Sequence, residues 1–218
     1  MNKHQLVNHV TKSLKMKDNI YSLTLIIIVT ICLSSTVQAQ SVDEKRKALH
    51  DYLESIFKDS SQVVYIAKEK ISNNETINIL KKNHVVALDP NGNYHDTTFL
   101  KNKSFNILQK IYINNCKEGV LNWCTDKYWL QEDFKNHKVV LETVNTDKRI
   151  QAINEKYNNY DLMVYSFSEL IYYQNKKYLI FTVNISNYTN SKTYIVIMKK
   201  SKLKWVVTHE GSDPDVLN

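Results

Sequence analysis

Apolar and polar positions alternate most clearly near the end of the chain. There YSFSELIYY, KYLIFTVNIS, TYIVIMKK and LKWVVTH fill residues 165–209, separated by the polar breaks QNKK, NYTNSK and KSK. Short runs rich in β-branched and aromatic residues, bounded by turn-forming ones, predict consecutive antiparallel strands with short connections. Within the second run Leu179, Phe181, Val183 and Ile185 share one face, and Tyr178, Ile180, Thr182 and Asn184 share the other. One face is wholly apolar and the other mixed, which predicts a sheet with a buried side and a partly wet side.

Upstream the period changes. Ser41 followed by Glu44 has the form of a capping box, and Leu49, Tyr52, Leu53, Ile56 and Phe57 repeat at helical spacing, predicting an amphipathic helix over Asp43–Lys58. Residues 62–71 (QVVYIAKEKI) fit a strand or a second helix, and the Val-Val-Tyr-Ile cluster favours the strand. Ser72 and Glu75 form a second capping box, opening a helix through Lys82 with Ile77 and Leu80 inward. A strand over His84–Leu88 leads into Asp89-Pro90-Asn91-Gly92, where proline presets φ and glycine admits a positive one. Further helices are expected over Ser104–Asn114 and Asp147–Tyr157, a strand over Lys138–Val144, and a loose tail over 211–218. Mixed early elements followed by a run of strands predict an α+β fold, a mainly antiparallel sheet in the C-terminal half packed by N-terminal helices.

The first 39 residues break this pattern. Lys3, Lys12, Lys15 and Lys17 precede an apolar run from Ile20 to Leu33, and a small polar stretch ends at Val37-Gln38-Ala39. That order reads as a secretory signal peptide over 1–39. The apolar run is shorter than the ~20 residues that span a bilayer, so a retained anchor is the weaker alternative. Cleavage after Ala39 takes 39 of the 218 residues and leaves 179, a single α+β domain over 40–218. The leader holds four of the 29 basic and one of the 22 acidic residues, so the formal charge falls from +7 to +4. No dense basic block stands out in the sequence, so no nucleic-acid partner is expected. Membrane contact is expected only through the leader, during export.

Two cysteines remain after cleavage, Cys116 and Cys124. In an exported chain the simplest expectation is one disulfide closing a short loop; two thiols are too few ligands for a metal site, and a catalytic thiol would have to escape oxidation.

The C-terminal quarter resembles a group of uncharacterised exported bacterial proteins. The residues that carry the likeness are Phe167-Ser168 at the start of a strand, the aromatic strand Tyr178–Ile185, and Lys199-Lys200 leading into Lys204-Trp205. Those proteins usually place proline soon after Phe-Ser, where this chain has Leu170-Ile171. The resemblance implies export and a strand-rich ending, and it brings no active-site residues. A more distant similarity to NTF2-like folds would imply a curved sheet wrapped around helices.

The candidate chemistry is sparse. Asp89-Pro90-Asn91-Gly92-Asn93 superficially resembles a calcium loop, but the sixth-position glycine and twelfth-position glutamate are missing, so a hairpin turn is expected. His84 and His95 flank that turn with Asp96 adjacent, a set able to hold zinc if a hairpin faced them, yet no HxH or HExxH spacing accompanies them. His50, His137 and His209 stand alone in the sequence. No G-x-S-x-G motif, converging carboxylate pair or glycine-rich phosphate loop occurs, so no catalytic residue and no cofactor is expected. Asn74, Asn102, Asn184 and Asn187 each begin an N-x-S/T triplet, which matters only in a glycosylating host. The most suggestive feature is an aromatic cluster, Trp123, Tyr128, Trp129 and Phe134, beside the cysteine loop. Such residues either plug the end of a core or form a platform for a protein, peptide or glycan. The expected function is therefore an exported binding module using this loop, with a small pocket enzyme or ligand carrier of NTF2-like shape as the alternative.

Overall fold

A computed structural model describes residues 43–59, 61–82, 84–111, 128–134, 137–143 and 149–212. The expected leader, Trp123, Cys116, Cys124 and the disulfide expected between the two cysteines lie outside the described residues, as do 213–218. By contacts the chain divides into Met1–Glu44 and a compact unit over Lys45–Asn218.

The protein is α+β, as expected, with a nine-stranded and mostly antiparallel sheet. Helix α1 (43–56) precedes β1 (Val63–Ala67), α2 (Asn73–Lys81), β2 (Val85–Ala87), β3 (Tyr94–His95) and α3 (Asn102–Gln109). A 3-10 turn (Gln131–Phe134), β4 (Lys138–Glu142) and α4 (Arg149–Lys156) follow, then β5 (Val164–Phe167), β6 (Ile171–Tyr173), β7 (Tyr178–Ser186), β8 (Ser191–Ser201) and β9 (Lys204–Ser212). The strand order is β3-β2-β9-β8-β7-β5-β1-β4, with β6 also paired to β7. The β5 to β9 region is a meander, whereas β1 pairs in parallel with both β4 and β5.

Both sides of the sheet are covered, which corrects the expectation of a partly wet side. Leu179, Phe181, Val183, Val196 and Met198 pack under α1 through Leu49, Tyr52 and Leu53. On the opposite side Tyr178, Ile180, Ile195 and Ile197 pack with Ile77 and Leu80 of α2 and Phe105 and Leu108 of α3. Farther along, Ile153 of α4 closes over Ala67 and Val164. Helix α2 begins where its capping residue predicts: Ser72 has extended backbone, and its side chain accepts a hydrogen bond from Asn74 N.

Three boundaries differ from the sequence reading. YSFSELIYY is not one strand but two, β5 and β6, which take separate halves of β7. At the bend Ser168 Oγ accepts the Thr182 N–H at 2.8 Å, standing in for a strand carbonyl. Strand β9 runs to Ser212, so Gly211 and Ser212 belong to the sheet, Gly211 paired with Val85, and not to a loose tail. Helix α3 begins at Asn102, two residues ahead of the expected Ser104.

A register shift in β9 decides which core its side chains enter. Met198 pairs with Val207 but Ile197 pairs with His209, leaving Thr208 as the extra residue of a bulge. Trp205 and Val207 therefore face α1, while His209 turns to the other side against Phe99 and Tyr178. Gly211 is a close-approach position: a Cβ there would lie 2.9 Å from Ile195 Cγ1 and 3.0 Å from the His84 carbonyl oxygen.

Candidate binding face

The aromatic stretch reaches the sheet through backbone pairing. Tyr128 bridges Glu69 in antiparallel fashion, and Trp129 N donates to Lys68 O at 2.7 Å. This lays 128–129 along the segment that leaves β1. The Trp129 indole is buried against Phe134 at a centroid distance of 5.6 Å, and its Nε1–H donates to Phe167 O at 3.2 Å. Phe134 is buried at the end of the 3-10 turn. That turn is held by Asp133, whose carboxylate accepts from Leu130 N and from Arg46 Nε of α1.

The expected platform thus divides. Trp129 and Phe134 are core residues, packed because one indole and one benzyl group fill the end of the α1 layer. Tyr128 is the exposed member, at 50% of its surface. Trp123 lies outside the described residues.

Around these rings the fold gathers four lysines from three separate segments. Lys70 Nζ sits 4.4 Å from the Trp129 ring centroid and 2.7 Å from Glu169 Oε2. Lys45 of α1 approaches the same carboxylate through Oε1 at 3.4 Å and lies 5.9 Å from the Tyr172 ring. Lys176, from the β6–β7 turn, lies 5.5 Å from Tyr172, and Lys68 lies 5.7 Å from Tyr128. Lysine ammonium groups set over ring faces are attracted by the ring quadrupole. Four ammonium groups against the Glu169 carboxylate leave the face positive.

Two devices hold this face in place. Ile71 bridges Ser168 in parallel fashion, tying the segment after β1 to the β5–β6 bend. Behind the bend lies a hydroxyl cluster that is fully buried. Thr76 Oγ1 of α2 meets Ser168 Oγ at 3.1 Å and Thr182 Oγ1 at 2.7 Å. Glu169 is therefore presented by a bend anchored to both β7 and α2.

The histidines expected around the Asp89–Gly92 turn do come near one another. His84 and His95 have ring centroids 5.8 Å apart. Asp96 does not join them: its carboxylate accepts from Thr98 N and Oγ1 and meets His209 Nε2 at 3.3 Å. Burial pushes the Asp96 carboxyl up, but the hydrogen bonds from Thr98 and His209 outweigh it and hold the group below its ordinary value. The turn itself is a hairpin connection, with the Asp89 carboxylate accepting from Asn91 N. Among the described residues no group of three or more His, Cys, Asp or Glu side chains stands where it could hold a metal.

His50 and His137, isolated in sequence, form a pair in space. His50 Nδ1 lies 2.8 Å from His137 Nε2, and His50 Nε2 lies 3.2 Å from Glu54 Oε1. Burial, and next the neighbouring His50, hold the His137 imidazole below its ordinary value. A direct imidazole–imidazole hydrogen bond needs one ring nitrogen without a proton, so the pair ties α1 to the start of β4 most firmly when it is not doubly protonated.

Sequence reasoning picked out Tyr128 but not Lys45, Lys70, Glu169, Tyr172 or Lys176. One local sign was present: Lys68 and Lys70 share parity on the extension of a strand, which puts both on one side. The remaining partners lie too far away in sequence for spacing to reveal them. No helix of the described residues is long and apolar enough to cross a membrane. No family model matches this chain, and neither a curated protein nor a solved structure matches it.

Proposed function

We propose that this chain is an exported binding module whose working surface is the lysine–tyrosine face, and that its ligand is an acidic oligosaccharide. The observation that carries the proposal is the half-exposed Tyr128 ring with Lys68 beside it, together with the Tyr172 ring approached by both Lys45 and Lys176. Pyranose rings stack their C–H faces on aromatic rings, and ammonium groups placed beside the rings pair with sugar carboxylates. The leader expected over 1–39 would bring such a face into contact with extracellular or envelope glycans. The backbone pairing beneath Tyr128 and the packing of Trp129 pre-position the rings, so little ordering opposes binding.

Titration calorimetry of the full chain against a uronic-acid oligomer tests this reading. Tyr128→Ala should weaken binding roughly five- to tenfold, in line with the loss of one stacking contact of about 1–1.4 kcal/mol. Lys68→Ala should weaken it further at low salt than at high salt. An unchanged affinity in Tyr128→Ala, with the circular dichroism spectrum preserved, would remove the face from consideration. Tighter capture of an acidic peptide than of any oligosaccharide would move the proposal to a peptide ligand.

A further inference from the structure

A second basic surface forms at one end of the sheet, where two turns come side by side. Tyr173 pairs with Tyr178 across the β6–β7 turn, and Tyr178 pairs in turn with Lys199. Strand β8 continues past Lys199 to Ser201, which pairs with Lys204 across a two-residue turn, Lys202-Leu203. The registers therefore bring Lys177 of the first turn beside Lys199, Lys200, Lys202 and Lys204 of the second hairpin. All five are exposed. Lys199 and Lys200 alternate across the ribbon, Lys199 opposite Val206 and Lys200 opposite Trp205, so positive charge borders both of its sides.

The tip is apolar. Leu203 is 81% exposed, and Val206 on the same hairpin is 42% exposed. Ladder pairing extends up to Ser201 and Lys204, so this leucine is held at the end of an ordered ribbon. Glu54 of α1 meets Lys204 at 3.3 Å, in a solvent-exposed pair that is weak in water.

We propose that this hairpin docks the protein on an anionic membrane surface, with Leu203 entering the interface and the flanking lysines pairing with lipid headgroups. Charge complementarity requires an anionic partner, since five ammonium groups converge on one end of the sheet. The exposed leucine selects a membrane over a soluble polyanion. Apolar side chains gain by leaving water for the acyl boundary, while clustered lysines add attraction to anionic headgroups. A dissolved polyanion offers only the second of these. This surface shares the β6–β7 turn with the lysine–tyrosine face, Lys176 serving that face and Lys177 this one, but docking here does not depend on that face's ligand.

Because the apolar run at 20–33 partitions into lipid by itself, the test reads the hairpin locally in the full chain. Lysine acetylation is mapped by mass spectrometry with vesicles of phosphatidylcholine alone and with about 30% phosphatidylglycerol added. Lys202 and Lys204 should be protected roughly fivefold on the anionic vesicles only, with Lys138 at the far edge of the sheet unchanged. L203D should abolish most of that protection and L203S should reduce it, circular dichroism confirming that each variant folds. Equal labelling on both vesicles overturns the proposal. So does protection by soluble polyphosphate that matches the vesicles and ignores L203D, which would make the hairpin a polyanion site.

Discussion

Replacing Thr76 with valine should destabilise the protein, and adding a second valine at Thr182 should restore part of what is lost. Thr76 Oγ1 is the side-chain partner of Thr182 Oγ1, at 2.7 Å, and both residues are fully buried. Valine at 76 keeps the shape but leaves the Thr182 hydroxyl without that bond, in a place water does not reach. A buried hydroxyl left in this way costs about 1–3 kcal/mol. For a chain of this size each kcal/mol moves the Tm by about 2–4 °C, so Thr76→Val should lower it by at least ~2 °C. Ser168 is protected from the same fate, because its Oγ still accepts from Thr182 N and still meets Glu169 O. In Thr76→Val/Thr182→Val no hydroxyl is orphaned, so the double variant should be more stable than Thr76→Val alone. Urea unfolding followed by circular dichroism measures wild type, Thr76→Val, Thr182→Val and the double variant, with an unchanged m-value showing that the transition is comparable. If the double variant loses as much as the two single losses summed, the hydroxyls act independently and the network argument fails.

Two further outcomes follow from the packing and the titrating groups. Gly211→Ala should cost about 1–3 kcal/mol by overpacking, since its new methyl meets Ile195 and the His84 carbonyl inside contact distance; a urea midpoint equal to wild type would mean that β2 can move aside. His137 and His209 both have imidazoles held below their ordinary value, each chiefly by burial. The unfolded chain then takes up protons first as pH falls below 6.5, so stability should be full above that pH and decline through the folded-state values beneath it. Around His209 the charged neighbours are Asp96, which opposes the shift, and Lys199, which adds to it; around His137 they are His50 and Glu54. Chemical denaturation at a series of pH values checks the slope, and Asp96→Asn should steepen it.

The sequence carried more of the fold than of the site. Period-2 alternation and turn residues located the strands of the meander, and Ser72 marked the start of α2 through the side-chain oxygen it offers to a helix N–H. Burial of both sheet faces was also signalled, by Ile195–Met198, four consecutive apolar residues that a one-sided sheet does not need. The mixed composition of Tyr178–Asn184 masked that signal, because Thr182 looks solvent-facing until Thr76 and Ser168 are found to satisfy its hydroxyl. The bulge at Thr208 was invisible for a similar reason: strict parity puts Trp205, Val207 and His209 on one side, and only the ladder with β8 shows the slip. The candidate face was legible in one residue, Tyr128. Its lysines come from α1, the segment after β1 and the β6–β7 turn, and Glu169 comes from a bend that propensity reads as continuous strand. Charge gathered by topology has no sequence period.

The parallel pairing of β1 has a consequence for how the chain reaches this structure. Among the described residues β1 is the first strand made, yet it sits between β4 and β5, both encoded in the second half of the chain. A chain passing amino end first through a pore would present Val-Val-Tyr-Ile-Ala with both hydrogen-bonding edges open until its partners emerged. Nonlocal pairing of this kind is slow, and unpaired apolar strands recruit other chains while they wait. The β6–β9 meander, whose neighbours in space are neighbours in sequence, can close without delay. Assembly thus divides into a quick carboxy-terminal half and a late insertion of β1, and the lysine–tyrosine face, which hangs from the segment just beyond β1, comes into being only with that last step.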